Sequence, residues 1–285
     1  MKITAAIITM VALAGCHGTS AIERLWEARA LTADLQVQFT KAADAANKAV
    51  MADTDEASTV FAQEAVRASE AVARDAGTLK PILDGLGYAE ETRLLEEFGR
   101  RFADYRALDR TILELAVENT NLKAQRLSFG AAAEAADAFR DALQALVPAE
   151  PAKDSWRVKA LAATAVSSVR EIQALQAPHI AEADDAQMTR FEARMDAAKS
   201  EARRALEALG PLVQPVSRKE LAAAGGALDR FLTTNAEIMA LSRRNTNVRS
   251  LALSLNQKGT LTSACEESLR ALRDALAKRE LSGTR

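Results

Sequence analysis

Two histidines and two cysteines are the whole supply of soft or borderline metal ligands in this 285-residue chain: His17, His179, Cys16 and Cys265. A closed zinc site takes about four such ligands, and covalent haem needs a Cys-x-x-Cys-His run. Neither that run nor the Glu-x-x-His pair of di-iron helical bundles occurs, so no metal and no cofactor is expected. His179 follows Pro178 and reads as an exposed imidazole at a helix corner. Acidic residues come as neighbours, Glu90-Glu91, Glu96-Glu97, Asp184-Asp185 and Glu266-Glu267. Neighbours on a helix diverge by about 100°, so these carboxylates cannot share a proton and read as solvated faces. Ser128 and Ser254 have no histidine or lysine at helical spacing to activate them. Gly225-Gly226 sits alone in an Ala-rich stripe without the pattern of a phosphate loop. Cys265 continues the series Leu261, Cys265, Leu269, Leu272, Leu276, one face of a helix, and reads as a small buried hydrophobe. No catalytic residue is expected, and the chain reads as a non-enzyme.

One polar feature does repeat. Asn119-Thr120-Asn121 and Asn245-Thr246-Asn247 are the same triplet 126 residues apart. Asn and Thr cap helix starts, and Asn tolerates the left-handed backbone of a tight corner. The expectation is two corresponding corners, each joining a third helix to a fourth. In the rival placement the corners fall at Gly130 and Gly259, the triplets lie inside helices, and Asn119 and Asn245 become candidate ligand contacts.

The elements that hold these residues are helical. Ala and Leu dominate, with six prolines and twelve glycines as punctuation. The 37 basic and 39 acidic side chains nearly balance and form no long block, so no nucleic-acid partner is expected. Leu95, Phe98, Phe102, Tyr105, Leu108, Ile112 and Leu115 form one apolar stripe, and Leu122, Leu127, Phe139, Leu143 and Leu146 continue it. As a single helix, 88–147 would be about 90 Å long, with nothing of equal length in its half to pack against. Broken at the triplet, it gives two helices that match the two before it, which Asp53-Thr54-Asp55 and Asp84-Gly85-Leu86-Gly87 separate. The proline-rich stretch 147–155 reads as a linker, after which the plan recurs. Residues 102–146 laid on 228–272 give eleven identities in 45, the signature of an internal duplication. Trp26 and Trp156, near the start of each half, are expected to pack in the core. The expected fold is all-α: two tandem up-down-up-down four-helix bundles, over 16–150 and 151–285.

The first residues carry a resemblance. MKITAAIITMVALAGCHGTS has one lysine, an apolar run too short to span a bilayer comfortably, and then small residues, the layout of a secretory signal. Leu13-Ala14-Gly15-Cys16 resembles the bacterial lipobox. The resemblance implies cleavage of residues 1–15, acylation of Cys16, and a periplasmic protein tethered to a membrane by lipid. With His rather than Asp at position 17, the outer membrane is the implied destination. A second resemblance covers each half: Tyr105, Ile112-Leu113-x-Leu115-Ala116, the polar triplet, Lys123-Ala124 and Phe139-x-x-x-Leu143 look like the later part of the periplasmic four-helix-bundle sensor domain of methyl-accepting chemotaxis proteins. That resemblance implies a non-enzymatic module that binds a small-molecule ligand or an envelope protein. A structural or scaffolding envelope lipoprotein without a ligand is the alternative.

Overall fold

The computed structural model describes residues 20–146 and 155–279. The signal sequence, Cys16 and the proline-rich linker lie outside the described residues. Everything regular within them is helical, and no described helix is long and apolar enough to cross a membrane.

Helix α1 (Ala21–Met51) opens on a capping box in which Ser20 and Glu23 satisfy each other's backbone N–H groups. Thr54 caps α2 (Asp55–Leu86), and Gly87 in the left-handed region, φ 70°, ends it. Ala42, Ala45, Ala46 and Ala49 of α1 are buried, as are Ala62, Ala65 and Ala68 of α2, so two small-residue faces let the backbones of this hairpin approach closely. Helix α3 (Ala89–Glu118) supplies Phe98, Phe102 and Tyr105, which surround Phe39 of α1 with ring centroids 5.1–6.3 Å away. Trp26 is 59% exposed because the buried stripe of α1 runs through Leu25, Ala28, Leu35 and Phe39, and Trp26 sits one residue to its side. Trp156 is likewise 68% exposed, so neither tryptophan packs in a core.

After Asn119 the chain continues as α4 (Thr120–Leu127), a π-helical turn at Ser128–Ala132, and α5 (Ala133–Leu146). The second half repeats the plan with α6 (Ser155–Ala181), α7 (Asp185–Leu209) and α8 (Arg218–Arg244), the last preceded by a short 3-10 turn. Then come Asn245, α9 (Thr246–Leu253), a π-helical turn at Ser254–Lys258, and α10 (Gly259–Lys278). Gly130 and Gly259 lie in or next to these π-turns, within continuing helix. Helix α6 passes through Pro178 and His179 to Ala181, so the corner expected there is displaced to residues 182–184.

Packing departs from sequence order. Helices α4 and α5 lie against α8 and α6 of the second half, while α9 and α10 lie against α3 and α1 of the first. One core gathers Leu25, Phe39, Leu79, Leu83, Phe98 and Tyr105 with Cys265, Leu269, Leu272 and Leu276 from the far end of the chain. The other joins Phe139, Leu143 and Leu146 to Val169, Ile172, Leu228, Phe231 and Ile238. Cross-chain partners fall in antiparallel register: Glu91 with Arg279, Arg101 with Ala264, Asp109 with Lys258, and Thr120 with Thr246. Residues 89–146 and 218–278 are therefore two long bent helical paths running side by side in opposite directions, each flanked at one end by a hairpin. The path over 89–146 does have a partner of similar length, supplied by the other half of the duplication. Two self-contained bundles in sequence order are not what this packing produces.

Candidate functional site

The triplets meet at the centre of the molecule. Asn119 (φ 51°) and Asn245 (φ 54°) are, among the described residues, the only non-glycine positions with positive φ, and each breaks its path for one residue. The break frees the first N–H groups of α4 and α9, and each triplet caps the other's helix. Thr120 N donates to Thr246 Oγ1 and Thr246 N to Thr120 Oγ1, both at 3.1 Å. Asn121 N and Asn247 N donate to each other's Oδ1, also at 3.1 Å. Asn121 Nδ2 donates to Asn245 Oδ1 and Asn247 Nδ2 to Asn119 Oδ1, at 2.8 Å each. Asn121 Nδ2 and Asn245 Nδ2 further bond the Ile180 and Glu182 carbonyls. Five of the six residues are buried in this mutual contact and Asn247 is half-buried, and Arg244 pairs with Glu118 beside it. The expected fold-back from a third helix to a fourth is absent at this site: each triplet passes its chain from one core to the other.

His179 is fully buried in the last turns of α6, contrary to the exposed corner expected of it. Its Nε2 lies 3.0 Å from Glu192 Oε1 and its Nδ1 2.8 Å from Ser242 Oγ. Arg243 grips both oxygens of Glu192 at 2.7 Å. Serine, imidazole and carboxylate resemble a nucleophile relay in composition, but Ser242 is fully buried and also contacts the His179 carbonyl, so the set clasps α6, α7 and α8 together. Burial lowers the His179 pKa, only partly opposed by Glu192, and Arg243 holds the Glu192 carboxyl below its ordinary value. A neutral ring donates from Nε2 to Glu192, and the single Ser242 hydroxyl proton is shared between Nδ1 and the His179 carbonyl. In the unfolded chain His179 titrates near its free value of about 6.5, whereas the folded ring resists protonation. Stability should therefore be flat above about pH 7 and fall as pH drops below about 6.5, towards the lower folded value. Urea midpoints from pH 7.5 to 5.5 should show this slope, and His179→Gln should remove most of it; stability rising on acidification would mean that the folded ring is cationic.

The third cluster lies between α3 and the π-turn that precedes α10. Lys258, in the π-turn that leads into α10, is buried and reaches Asp109 Oδ1 of α3 at 2.7 Å. Its ammonium stands 5.5 Å from the Tyr105 ring centroid. The Tyr105 hydroxyl is buried without a hydrogen-bond partner, and burial raises its pKa. Burial also raises the Asp109 pKa, with Lys258 pulling the other way. Asp109 also lines a groove of about 940 Å³ whose walls are Ala62, Val66 and Arg67 of α2 and Arg106, Arg110, Leu113 and Val117 of α3, among others.

The duplication provides an internal control. Aligned on the caps Thr54 and Asp184, Ala62, Ala65 and Arg67 correspond to Glu192, Met195 and Ala197. Aligned on the triplets, Tyr105, Arg106, Asp109, Arg110 and Lys258 correspond to Phe231, Leu232, Asn235, Ala236 and Ala132. The corresponding groove between α7 and α8 is only about 290 Å³, with Glu192 and Met195 in its wall. There Asn235 accepts from Gln176 at 2.8 Å, and Gln176 accepts from Ser128 at 2.7 Å, a neutral chain in place of the ion pair.

Sequence reasoning missed this cluster, although a signal existed. Lys258 extends the Leu261, Cys265 stripe by one turn, and Asp109 lies in the seam four residues after Tyr105. Cys265 itself is buried as expected, its thiol pKa pushed up to about 12 by burial. Glu91 departs from the solvated reading of its pair: it is buried against Arg279, which keeps it ionised. Cys16, the expected lipidation site, lies outside the described residues. No protein-family model, curated protein or solved structure matches the chain.

Proposed function

We propose that the chain is a non-enzymatic, lipid-anchored periplasmic module whose first half binds a small molecule in the α2–α3 groove. On this reading Cys16 carries the lipid, the outer membrane holds it, and the two helical cores are four-helix bundles that exchange their last helices. The sensor-domain resemblance of the sequence makes the protein an accessory counterpart of such sensors. The observation that carries the reading is the contrast between the two copies of one groove. Where the second copy places Glu192 and Met195, the first has Ala62 and Ala65, and only the first is backed by a buried ion pair and edged by arginines. A buried Lys–Asp pair is seldom needed for stability, and the second copy folds around neutral side chains at the same place.

Exposed Trp26 and Trp156, near the start of α1 and of α6, favour a second reading, a scaffolding lipoprotein that joins envelope components through these surfaces. A thermal-shift panel of small metabolites separates the two. The binding reading expects a discrete set of compounds to raise the melting temperature and Ala62→Met, which fills the groove, to abolish the shift. A blank panel, together with crosslinked partners at Trp26 or Trp156, would favour scaffolding.

A further inference from the structure

Resting on the binding reading, we propose that the groove is selective for an amphiphilic monocarboxylate, a single carboxylate carried on an apolar body. Ala62, Val66, Leu113 and Val117 give the groove an apolar side. Arg67, Arg106 and Arg110 line it too, and among the described residues none of the three has an ion-pair partner. The α2–α3 hairpin closes at Gly87, so Arg67, twenty residues before it, stands level with position 107, between Arg106 and Arg110. The three arginine positions thus fall at one end, where the Arg106 guanidinium lies 5.9 Å from the Phe102 ring centroid. Asp109 is neutralised by Lys258 and Glu118 by Arg244, which leaves Glu70 and Glu114 as the opposing charges. The balance favours one negative group. A guanidinium offers a carboxylate two parallel hydrogen bonds, which suits the arginine end, while the apolar body lies along the alanine, valine and leucine side towards the centre of the molecule. In the smaller second groove all three arginines become Ala197, Leu232 and Ala236, so the guanidiniums accompany the larger space.

The test is calorimetric titration of the full chain with octanoate, 1-octanol and acetate, in the wild type, Arg106→Ala/Arg110→Ala and Ala62→Met. Arg106 and Arg110 are exposed, so the double variant should keep the wild-type circular dichroism melt. Octanoate should bind the wild type, lose about tenfold or more in affinity in the arginine variant, and lose binding in Ala62→Met. 1-Octanol and acetate should each bind at least about tenfold more weakly than octanoate. Octanol binding as tightly as octanoate, or an arginine variant with unchanged affinity, would overturn the carboxylate assignment; the groove reading would survive if Ala62→Met still blocked binding. Octanoate binding that ignores Ala62→Met would overturn both.

Discussion

Lys258→Met should cost the folded protein about 3–5 kcal/mol, a large share of the total stability of a typical domain. The substitution keeps most of the aliphatic volume but leaves the Asp109 carboxylate buried without its partner at 2.7 Å. An unpaired carboxylate in that site can escape only by taking up a proton, and burial already raises its pKa with Lys258 present. In the variant the folded value rises further above the unfolded one, so the loss is greatest at neutral pH and shrinks as pH falls through the folded value. Asp109→Asn/Lys258→Met removes both charges and should return stability to within about 1 kcal/mol of wild type, or above it. The second half of the chain has already made an equivalent exchange, with Asn235 and Ala132 in the corresponding places. Urea denaturation of the three proteins at pH 7 checks this. A near-neutral Lys258→Met would mean that Asp109 is already protonated in the fold, and the ion pair would drop out of the account.

Asn121→Ala should cost about 3 kcal/mol by opening the central junction. Its Oδ1 accepts from Asn247 N, and its Nδ2 donates to Asn245 Oδ1 and to the Ile180 carbonyl. Truncation leaves an N–H at the start of α9 without its acceptor and removes a buried bond to the end of α6. Since the Asn121–Asn247 contacts are reciprocal, Asn247→Ala should cost a similar amount. A double-mutant cycle between the two should give a coupling of about 1–2 kcal/mol. Additive losses would mean that the triplets stabilise their own helices separately and do not cap each other.

Much of the local structure is legible in the sequence because it depends on short-range chemistry. Thr54 caps α2, Gly87 stops it, Cys265 lies on the buried face of its helix, and the chain breaks at both triplets. Exchange of the last helices is not legible, because helical periodicity gives the direction of an apolar face but not which copy of a repeated helix will cover it. The same ambiguity turned the triplets into expected corners: a left-handed asparagine ends a helix equally well whether the chain then folds back or crosses over. His179 misled for a different reason. A proline beside it suggests a break, yet Pro178 lies near the end of α6, where the helix tolerates one lost hydrogen bond, and the spacing Ile172, Gln176, His179 keeps the imidazole on the buried face. Lys258 and Asp109 are 149 positions apart and each looks like an ordinary surface charge; only the π-turn and the crossed packing bring them together.

The two grooves invite a direct comparison, since they are copies of one element and the first, at about 940 Å³, is much the larger beside about 290 Å³ for the second. Methyl-resolved NMR of the full chain, titrated with the compounds that raise its melting temperature, reads both at once. The account predicts saturable shifts at Ala62, Val66, Leu113 and Val117, with Met195 and Met239 of the second groove unmoved. Shifts centred on Met195 and Met239, or on the junction around Thr120 and Thr246 with Ala62 and Leu113 silent, would contradict it.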